Sequence, residues 1–388
     1  MVELKINKKI RIGVDARLLS EPITGIGRYL FEVLSRMTSE GHEWYLYSHR
    51  PIIIGSWDRE NIFIRSMRLK GRATRMIWAQ SVLPYLAFKD QVDIFWSPAH
   101  RIPRFLNSKI PCVVTIHDLV WRHAGQTMRP MSRWLDSKLM MAAAKKANAI
   151  IAVSKSTASD LILENQDLSS KISVICLGVS LKISKPLNEE LLNRIASVKP
   201  YYLFVGTLEP RKNLVRLIHA HSILPVPIRN EAKLLIVGSK GWGDVNIQKI
   251  VKKFYMQENV EFWGYVDDSV LAGLYSNALF LAMPSLYEGF GLPLIEAMAF
   301  SIPVLTSDRS SMPEVGDGAG VFVDPHNVAS ISKGLGLLLS DPSLRKNLGY
   351  HAAIRAKNFD WNLTANETLA VFSNVLTRAN RFVIPPKK

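Results

Sequence analysis

Residues 278–307 (ALFLAMPSLYEGFGLPLIEAMAFSIPVLTS) constrain the fold more than any other stretch of this chain. An apolar run over 278–283 predicts a buried strand, and a turn punctuated by glycine follows it. Pro293 marks the start of a helix, because proline lacks only an amide that the first helical turn leaves unbonded. The helix predicted over 293–300 runs directly into a second strand over 302–305. A strand, loop, helix and strand in this order predict an α/β fold with a parallel sheet.

The loop of this unit combines two carboxylates with two glycines. Gly289 and Gly291 allow a ligand to approach the backbone, and the amides at a helix N-terminus attract phosphate oxygens. Four helical steps from Leu292 to Glu296 already span about 6 Å. Glu288 and Glu296 are therefore expected to contact different parts of one long ligand, rather than to flank a single bond as in a glycosidase. An ordinary loop with one capping and one solvated glutamate is the alternative.

A sugar joined to a nucleoside diphosphate has hydroxyl groups at both ends and negative charge in the middle. The two glutamates, within PSLYEGFGLPLIEAMA, resemble the signature of the family-4 retaining glycosyltransferases of the GT-B fold. The resemblance implies two Rossmann-like domains whose parallel sheets face a central cleft. It also implies that Glu296 binds the ribose hydroxyls and that Glu288 holds a hydroxyl of the donor sugar. The amides of Phe290, Gly291 and Leu292 would hold the diphosphate.

The length of 388 residues predicts two domains. The composition loosens between residues 182 and 200, which places the boundary near residue 190. We expect an acceptor-binding domain over 1–190 and a sugar-nucleotide-binding domain over 191–358. The resemblance implies that a terminal helix, over 359–388, crosses back to the first domain.

Two features of the first half follow predicted strands. Gly25 and Gly27 come after the strand predicted over 10–16; alone they indicate a tight turn, but the resemblance places such glycines against the donor diphosphate. His117 follows the strand predicted over 112–116, at the sheet edge where α/β enzymes bind ligands. A single histidine there is more often structural. The resemblance implies a catalytic histidine in contact with the donor sugar.

In the second half, Arg211 and Lys212 stand at a turn between a strand and a helix, where two cations and a helix N-terminus converge. Surface charge is the alternative; the resemblance implies that this segment binds the diphosphate. Many members of the family have arginine directly after the preceding glycine, where this chain has Thr207. The resemblance also implies that backbone near Tyr265 and Val266 meets the nucleotide base.

The net charge of +16 predicts an anionic partner. Residues 65–78 carry five Lys or Arg and no acid, interleaved with apolar side chains. They predict an interfacial membrane helix or a basic docking surface, with a solvated helix face as the alternative. No signal peptide or membrane span is visible, and Cys112 and Cys176 lie in strand-like runs as expected for buried thiols. We therefore expect a cytoplasmic protein, peripheral at the inner face of the cell membrane.

These patterns lead to one functional hypothesis with two rivals. The chain is expected to transfer a hexose from a sugar nucleotide, without a metal or other cofactor, to a polyprenyl-diphosphate-linked or other glycan acceptor. Cell-surface polysaccharide or O-antigen biosynthesis is the expected process. The opening VDARLL…TGIGRY resembles bacterial mannosyltransferases, so GDP-mannose is the expected donor. The rivals are a nucleotide-sugar epimerase of the same fold and a non-enzymatic basic protein that binds membrane or nucleic acid. Under the main hypothesis we expect no nucleic-acid partner.

Overall fold

The structure is a computed structural model that describes residues 9–23, 25–39, 41–57, 59–180, 189–241 and 246–381. These residues form two compact units. Unit 1 takes its described residues from 1–119, 131–177 and 361–388, and unit 2 takes them from 120–130 and 178–360. The boundary expected near residue 190 stays a prediction, and part of the loosened stretch, 181–188, lies outside the described residues.

Every sheet pairing in the described residues is parallel. The strands in chain order are β1 (Arg11–Asp15), β2 (Glu43–Ser48), β3 (Ile62–Ser66), β4 (Ile94–Ser97), β5 (Cys112–Ile116), β6 (Ala149–Ala152), β7 (Ile172–Val174), β8 (Tyr201–Val205), β9 (Lys233–Val237), β10 (Val260–Gly264), β11 (Leu281–Met283), β12 (Val304–Ser307) and β13 (Gly320–Val323). Central strands such as β5 and β8 are buried throughout, because helices cover both faces of a parallel sheet.

The helices cover these sheets. In chain order they are α1 (Gly25–Met37), α2 (Arg72–Ile77), α3 (Leu83–Lys89), α4 (Val120–His123), α5 (Pro130–Lys146), α6 (Lys155–Glu164), α7 (Glu189–Val198), α8 (Leu214–Ser222), α9 (Val226–Arg229), α10 (Ile247–Lys253), α11 (Asp268–Asn277), α12 (Leu292–Ala299), α13 (Met312–Gly316), α14 (Val328–Ser340), α15 (Pro342–Ala356) and α16 (Trp361–Arg381). A π-helical turn, Trp78–Val82, joins α2 to α3, so that residues 72–89 form one continuous helical segment. The terminal helix α16 packs on α1 within unit 1.

Both sheets have the doubly wound strand order. Within the described residues, unit 1 has seven strands in the order β3-β2-β1-β4-β5-β6-β7, and unit 2 has six in the order β10-β9-β8-β11-β12-β13. The order reverses between β1 and β4 in unit 1, and between β8 and β11 in unit 2. Ligands of such sheets bind beyond the carboxyl ends of the strands at this reversal point. The prediction of two Rossmann-like parallel sheets is confirmed for each unit.

The predicted bounds differ from the observed ones in identifiable places. The strand expected over 278–283 is limited to Leu281–Met283, and the next strand begins at Val304 rather than at residue 302. Pro303 explains the later start, since it has no amide to donate to the sheet. Helix α1 already begins at Gly25, so the two glycines lie in its first turn and not in a loop before it; Thr24 is outside the described residues.

Residues 65–78 do not form one interfacial helix. Arg65 lies in β3 and its guanidinium pairs with the Asp90 carboxylate at 2.9 Å, whereas the helix begins only at Arg72 and Trp78 is buried. Both cysteines are free thiols. Cys112 is buried in β5, but Cys176 is half-buried and lies beyond the end of β7.

Candidate functional site

The candidate site of unit 2 lies where its strand order reverses. Strands β8 and β11 are neighbours in the sheet. The loop after β8 carries Arg211 and Lys212, and the loop after β11 carries Glu288, so two segments 77 residues apart in the chain meet at one sheet edge. Parallel strands therefore place these predicted side chains in direct contact.

Glu288 is the centre of a buried cluster of charges. Its Oε2 lies 2.7 Å from Nη1 of Arg211, and its Oε1 lies 2.6 Å from Nζ of Lys212. On the other side, Nε of Arg211 donates to Oε2 of Glu209 at 3.0 Å. Glu288 and Lys212 are almost fully buried. The formal charges of these four groups cancel, so an anion bound beside them also requires partial positive charge from the backbone amides.

The protonation of the cluster follows from its geometry. Burial alone would raise the pKa of the Glu288 carboxyl, but Arg211 and Lys212 outweigh burial and lower that pKa to about 2. Burial lowers the pKa of the Lys212 ammonium, and the attraction of Glu288 offsets part of this decrease. Glu288 is consequently an anion at neutral pH, able to accept hydrogen bonds from hydroxyl groups but unable to donate a proton.

Two serines shape the loop that carries Glu288. The hydroxyl of Ser311 donates to the carbonyls of Glu288 (2.9 Å) and Phe290 (3.2 Å), and Oγ of Ser310 accepts from the Glu288 amide (3.2 Å). Gly291, the N-cap of α12, has φ +100°, a left-handed conformation that favours glycine. No side-chain hydrogen bond caps α12. In its first turn Pro293 has no amide and the Leu294 amide donates to the Gly291 carbonyl at 2.9 Å, so the Leu292 amide is the one placed to bind a phosphate.

The other predicted residues of unit 2 have different surroundings. Glu296 lies within α12, where Oε2 accepts a hydrogen bond from the Tyr275 hydroxyl at 3.2 Å. The two predicted glutamates thus have different partners. Tyr265 and Val266 follow β10, two strands from β8, or about 10 Å away at the usual strand spacing. Tyr265 is largely exposed, as a residue that contacts a ligand base needs to be.

A cavity of ≈ 330 Å³ adjoins the cluster inside unit 2. Its wall includes Glu209 and Leu286 from the two loops of the site, together with Gln126 and Thr127 from the segment 120–130. This volume is at the lower end of the range for small-molecule pockets. Space for a bound molecule therefore exists directly beside the Arg211 loop.

The predicted residues of unit 1 lie at the carboxyl edge of its sheet, at or one strand away from the reversal point between β1 and β4. Gly25 and Gly27 belong to the first turn of the helix that follows β1, and His117 directly follows β5. Nε2 of His117 lies 2.8 Å from the Pro98 carbonyl oxygen, which can only accept, so Nε2 carries the proton. Burial, followed by the neighbouring His100, lowers the pKa of His117 to about 3. The ring is therefore neutral, and Nδ1 is its hydrogen-bond acceptor.

Sequence reasoning missed several residues that organise the site. Tyr275 and Ser311 contact the predicted residues because neighbouring strands and helices bring them together. Glu209 differs, because it pairs with Arg211 two residues later in the same loop, a spacing that is visible in the sequence. Among the residues that the structure describes, no group of three His, Cys, Asp or Glu side chains is placed to hold a metal ion.

Known proteins resemble this chain over both halves. The family model described as Glycosyltransferase Family 4 matches residues 23–183, and the model described as Glycosyl transferases group 1 matches residues 192–355. The O-antigen chain mannosyltransferase B of Escherichia coli is 29% identical over 376 residues, which cover 90% of this chain and 96% of that protein.

Solved structures agree on the fold. Sucrose-phosphate synthase from Thermosynechococcus elongatus has a TM-score of 0.76 at 19% identity, covering 95% of this chain and 100% of that one. HepE from Anabaena, solved in complex with UDP and glucose, has a TM-score of 0.73 at 15% identity, covering 94% of this chain and 100% of that one. At these identities the likeness concerns the fold alone.

Proposed function

We propose that this chain, which belongs to the family-4 glycosyltransferases of the GT-B fold, transfers a hexose from a sugar nucleotide with retention of anomeric configuration. The observation that carries the donor assignment is the buried Arg211–Glu288–Lys212 cluster at the reversal point of unit 2. An anion clamped between two cations, next to an uncapped helix N-terminus, suits a ligand that combines hydroxyl groups with a diphosphate.

Each part of the donor has a proposed partner. Arg211, Lys212 and the amides of residues 289–292 face the diphosphate, and Glu288 accepts a hydrogen bond from a sugar hydroxyl. Glu296, oriented by Tyr275, accepts from the ribose hydroxyls. The base lies near Tyr265 and Val266. In unit 1, the first turn of α1 supplies amides for the diphosphate, and Nδ1 of His117 accepts from the donor sugar.

The proposed chemistry needs stabilisation of the leaving group above all. When the bond from the sugar to the diphosphate breaks, negative charge grows on the phosphate oxygen, and preorganised donors at that point lower the barrier. Arg211, Lys212 and the start of α12 would supply this stabilisation without a metal. We propose that the acceptor hydroxyl attacks from the face that the diphosphate leaves, and that a phosphate oxygen takes its proton.

Mannose is the proposed sugar and GDP-mannose the proposed donor, because a relative whose match covers 90% of this chain is named an O-antigen chain mannosyltransferase. A lipid-linked glycan is the proposed acceptor, in O-antigen or other polysaccharide assembly at the cytoplasmic face of the membrane. Within the described residues, no helix has both the length and the apolar character needed to cross a bilayer.

A thermal-shift screen of the whole protein against GDP-, UDP- and dTDP-sugars tests the donor, since a ligand that binds the folded state raises its melting temperature. Glu288→Ala and Arg211→Ala should abolish most transfer from the sugar that binds. Glu258→Ala, at an exposed position of the same unit, is the matched control. Wild-type transfer by both site variants would refute the site assignment, and conversion of the sugar nucleotide without an acceptor would favour an epimerase.

A further inference from the structure

Unit 1 exposes a row of large apolar side chains on the helical segment 72–89. Ile77, Tyr85 and Phe88 are 66%, 62% and 60% exposed. With Ser81, which is also exposed, they recur every three or four residues and therefore share one face of the helix. The opposite face, including Trp78 and Leu83, is buried against the unit. A soluble helix usually turns its polar side outward, so this arrangement needs an explanation.

The loop 98–111 extends the apolar row with a further aromatic side chain. The amide of Arg104 donates to Oε1 of Gln80 at 2.7 Å, which ties this loop to the side of the helix. The next residue, Phe105, is 69% exposed. Nζ of Lys146 donates to the carbonyls of Pro103 (2.9 Å), Arg104 (2.9 Å) and Leu106 (3.0 Å), so the loop is held from its other side as well. Phe105 is thus presented by an anchored loop.

Positive charge surrounds these side chains. The segments 67–89 and 98–111 together contain eight Lys or Arg and no Asp or Glu. Six of these cations are exposed: Arg68, Lys70, Lys89, Arg101, Arg104 and Lys109. Two of the eight are paired with acids from elsewhere in the chain, Arg75 with Glu21 and Arg101 with Asp136. An apolar row within a field of cations matches the two layers of an anionic bilayer surface, acyl chains beneath negative headgroups.

The position of this surface connects it to the site. Strands β3 and β4 end at Ser66 and Ser97, so both segments begin at the carboxyl edge of the sheet, the edge where His117 follows β5. Pro98, at the start of the loop that carries Phe105, accepts the hydrogen bond from His117. The loop that carries Phe105 is therefore joined directly, through Pro98, to the histidine that is proposed to contact the donor sugar.

We infer that residues 67–89 and 98–111, which we call the docking surface, bind an anionic lipid bilayer and so bring the protein to a lipid-linked acceptor. This inference rests on the proposed function for its purpose but not for its test. A second copy of the chain fits the surface less well, because pairing two such faces would bring the exposed cations of one copy against those of the other. A nucleic acid would neutralise the cations but would leave the apolar row exposed.

Flotation of the full-length protein with vesicles tests the inference without any donor or acceptor. Vesicles of phosphatidylcholine mixed with phosphatidylglycerol should bind the protein, and phosphatidylcholine alone should bind it far less. Raising the salt from about 0.1 M to about 1 M shortens the screening length from ~10 Å to ~3 Å and should release most of it. Equal binding to both vesicle types, or to neither, would overturn the inference.

Two variants separate the apolar and the electrostatic contributions. Ile77→Ser, Tyr85→Ser and Phe88→Ser combined should abolish binding at all salt concentrations. Arg68→Gln, Lys70→Gln and Lys89→Gln combined should weaken it by about two orders of magnitude, at about fivefold for each cation near an anionic surface. The matched control replaces three exposed apolar residues of unit 2: Tyr255→Ser, Tyr350→Ser and Ile354→Ser. The control should bind vesicles as the wild type does.

The same variants distinguish this inference from the proposed function. Transfer to a water-soluble glycan should be unaffected in the docking-surface variants, and their thermal stability should match that of the wild type. Vesicle binding that survives both triple substitutions, or that the control loses equally, would refute the docking surface whatever the transferase assay shows. If the wild type is a dimer and only the triple serine variant is a monomer, the surface binds a second copy of the chain. If the variants lose RNA binding but keep vesicle binding, the surface binds nucleic acid.

Discussion

Replacing Glu288 with glutamine removes the negative charge between Arg211 and Lys212 while keeping the size of the side chain. The folded structure lowers the pKa of this carboxyl from 4.5 to about 2. At about 1.4 kcal/mol for each pKa unit, the charged form is favoured in the folded state by roughly 3 kcal/mol. Loss of one partner from a buried ion pair has a cost of similar size, about 3–5 kcal/mol. We expect Glu288→Gln to lower the free energy of unfolding by roughly 3 kcal/mol at pH 7.

The loss should be measurable by thermal unfolding followed by circular dichroism. For a domain of this size, about 2–4 °C of melting temperature corresponds to 1 kcal/mol, so the variant should melt roughly 6–12 °C lower. Because the folded pKa lies below the unfolded one, the contribution of Glu288 is complete above about pH 4.5 and is lost as the pH falls through about 2. The difference between variant and wild type should therefore narrow under acid conditions below pH 4.5.

Glu209→Gln is the matched control, because Glu209 forms its ion pair with Arg211 from the side opposite Glu288 and its side chain is more exposed than that of Glu288. Glu209→Gln should lower the free energy of unfolding by about 1 kcal/mol or less. A nucleoside diphosphate offers new anionic oxygens to the same cations, so it should raise the melting temperature of Glu288→Gln more than that of the wild type. A variant that melts within about 1 °C of the wild type at pH 7, or a control that loses as much, would refute the electrostatic reasoning.

Three further predictions concern other parts of the site. Gly291→Ala forces an L-residue into φ +100° and should cost about 1–3 kcal/mol in urea unfolding, whereas Gly41→Ala, at a position with open space, should cost little; equal costs would contradict the backbone argument. Tyr275→Phe removes the hydroxyl that orients Glu296 and should raise the donor KM about fivefold, with kcat nearly unchanged, in steady-state assays. An unchanged KM would show that Glu296 does not bind the donor. Below about pH 6.5 the imidazole of His117 gains a proton in the unfolded chain, whereas in the folded protein it stays neutral down to about pH 3, so the free energy of unfolding should decrease as the pH decreases. His117→Asn should reduce this pH dependence in chemical unfolding measured from pH 7 to pH 4. An unchanged pH dependence would mean that another group causes the loss.

The local sequence predicted one central strand well. The strand predicted over residues 112–116 coincides with β5, because an apolar run bounded by polar residues forms a strand that is buried on both faces. The turn expected at Gly25 and Gly27 was wrong, because both glycines lie in the first turn of α1. Two glycines argue locally for a turn, but the apolar stripe that begins at Tyr29 and continues to Met37 packs into the core and extends the helix to Gly25.

Some features of the candidate site are visible in the local sequence, and others depend on contacts between distant residues. Glu288, Gly289 and Gly291 lie within four residues, so their combination is visible in the chain and predicts a ligand-binding loop. Nothing local joins that loop to Arg211 or to Ser311, which are 77 and 23 residues away. Those contacts exist because β8, β11 and β12 are neighbours in the sheet, an order that depends on how helices and strands pack.

Periodicity, glycines and charged side chains by themselves determined that this chain forms parallel α/β units, and they predicted that a loop near residue 288 binds a ligand. Only the tertiary structure decided which cations surround Glu288, how far its pKa falls, and that His117 presents Nδ1 as an acceptor. It also turned one face of residues 72–89 outward and buried the other. The reason is physical: backbone preference acts over a few residues, whereas burial and electrostatic interaction depend on groups that only the folded chain brings together.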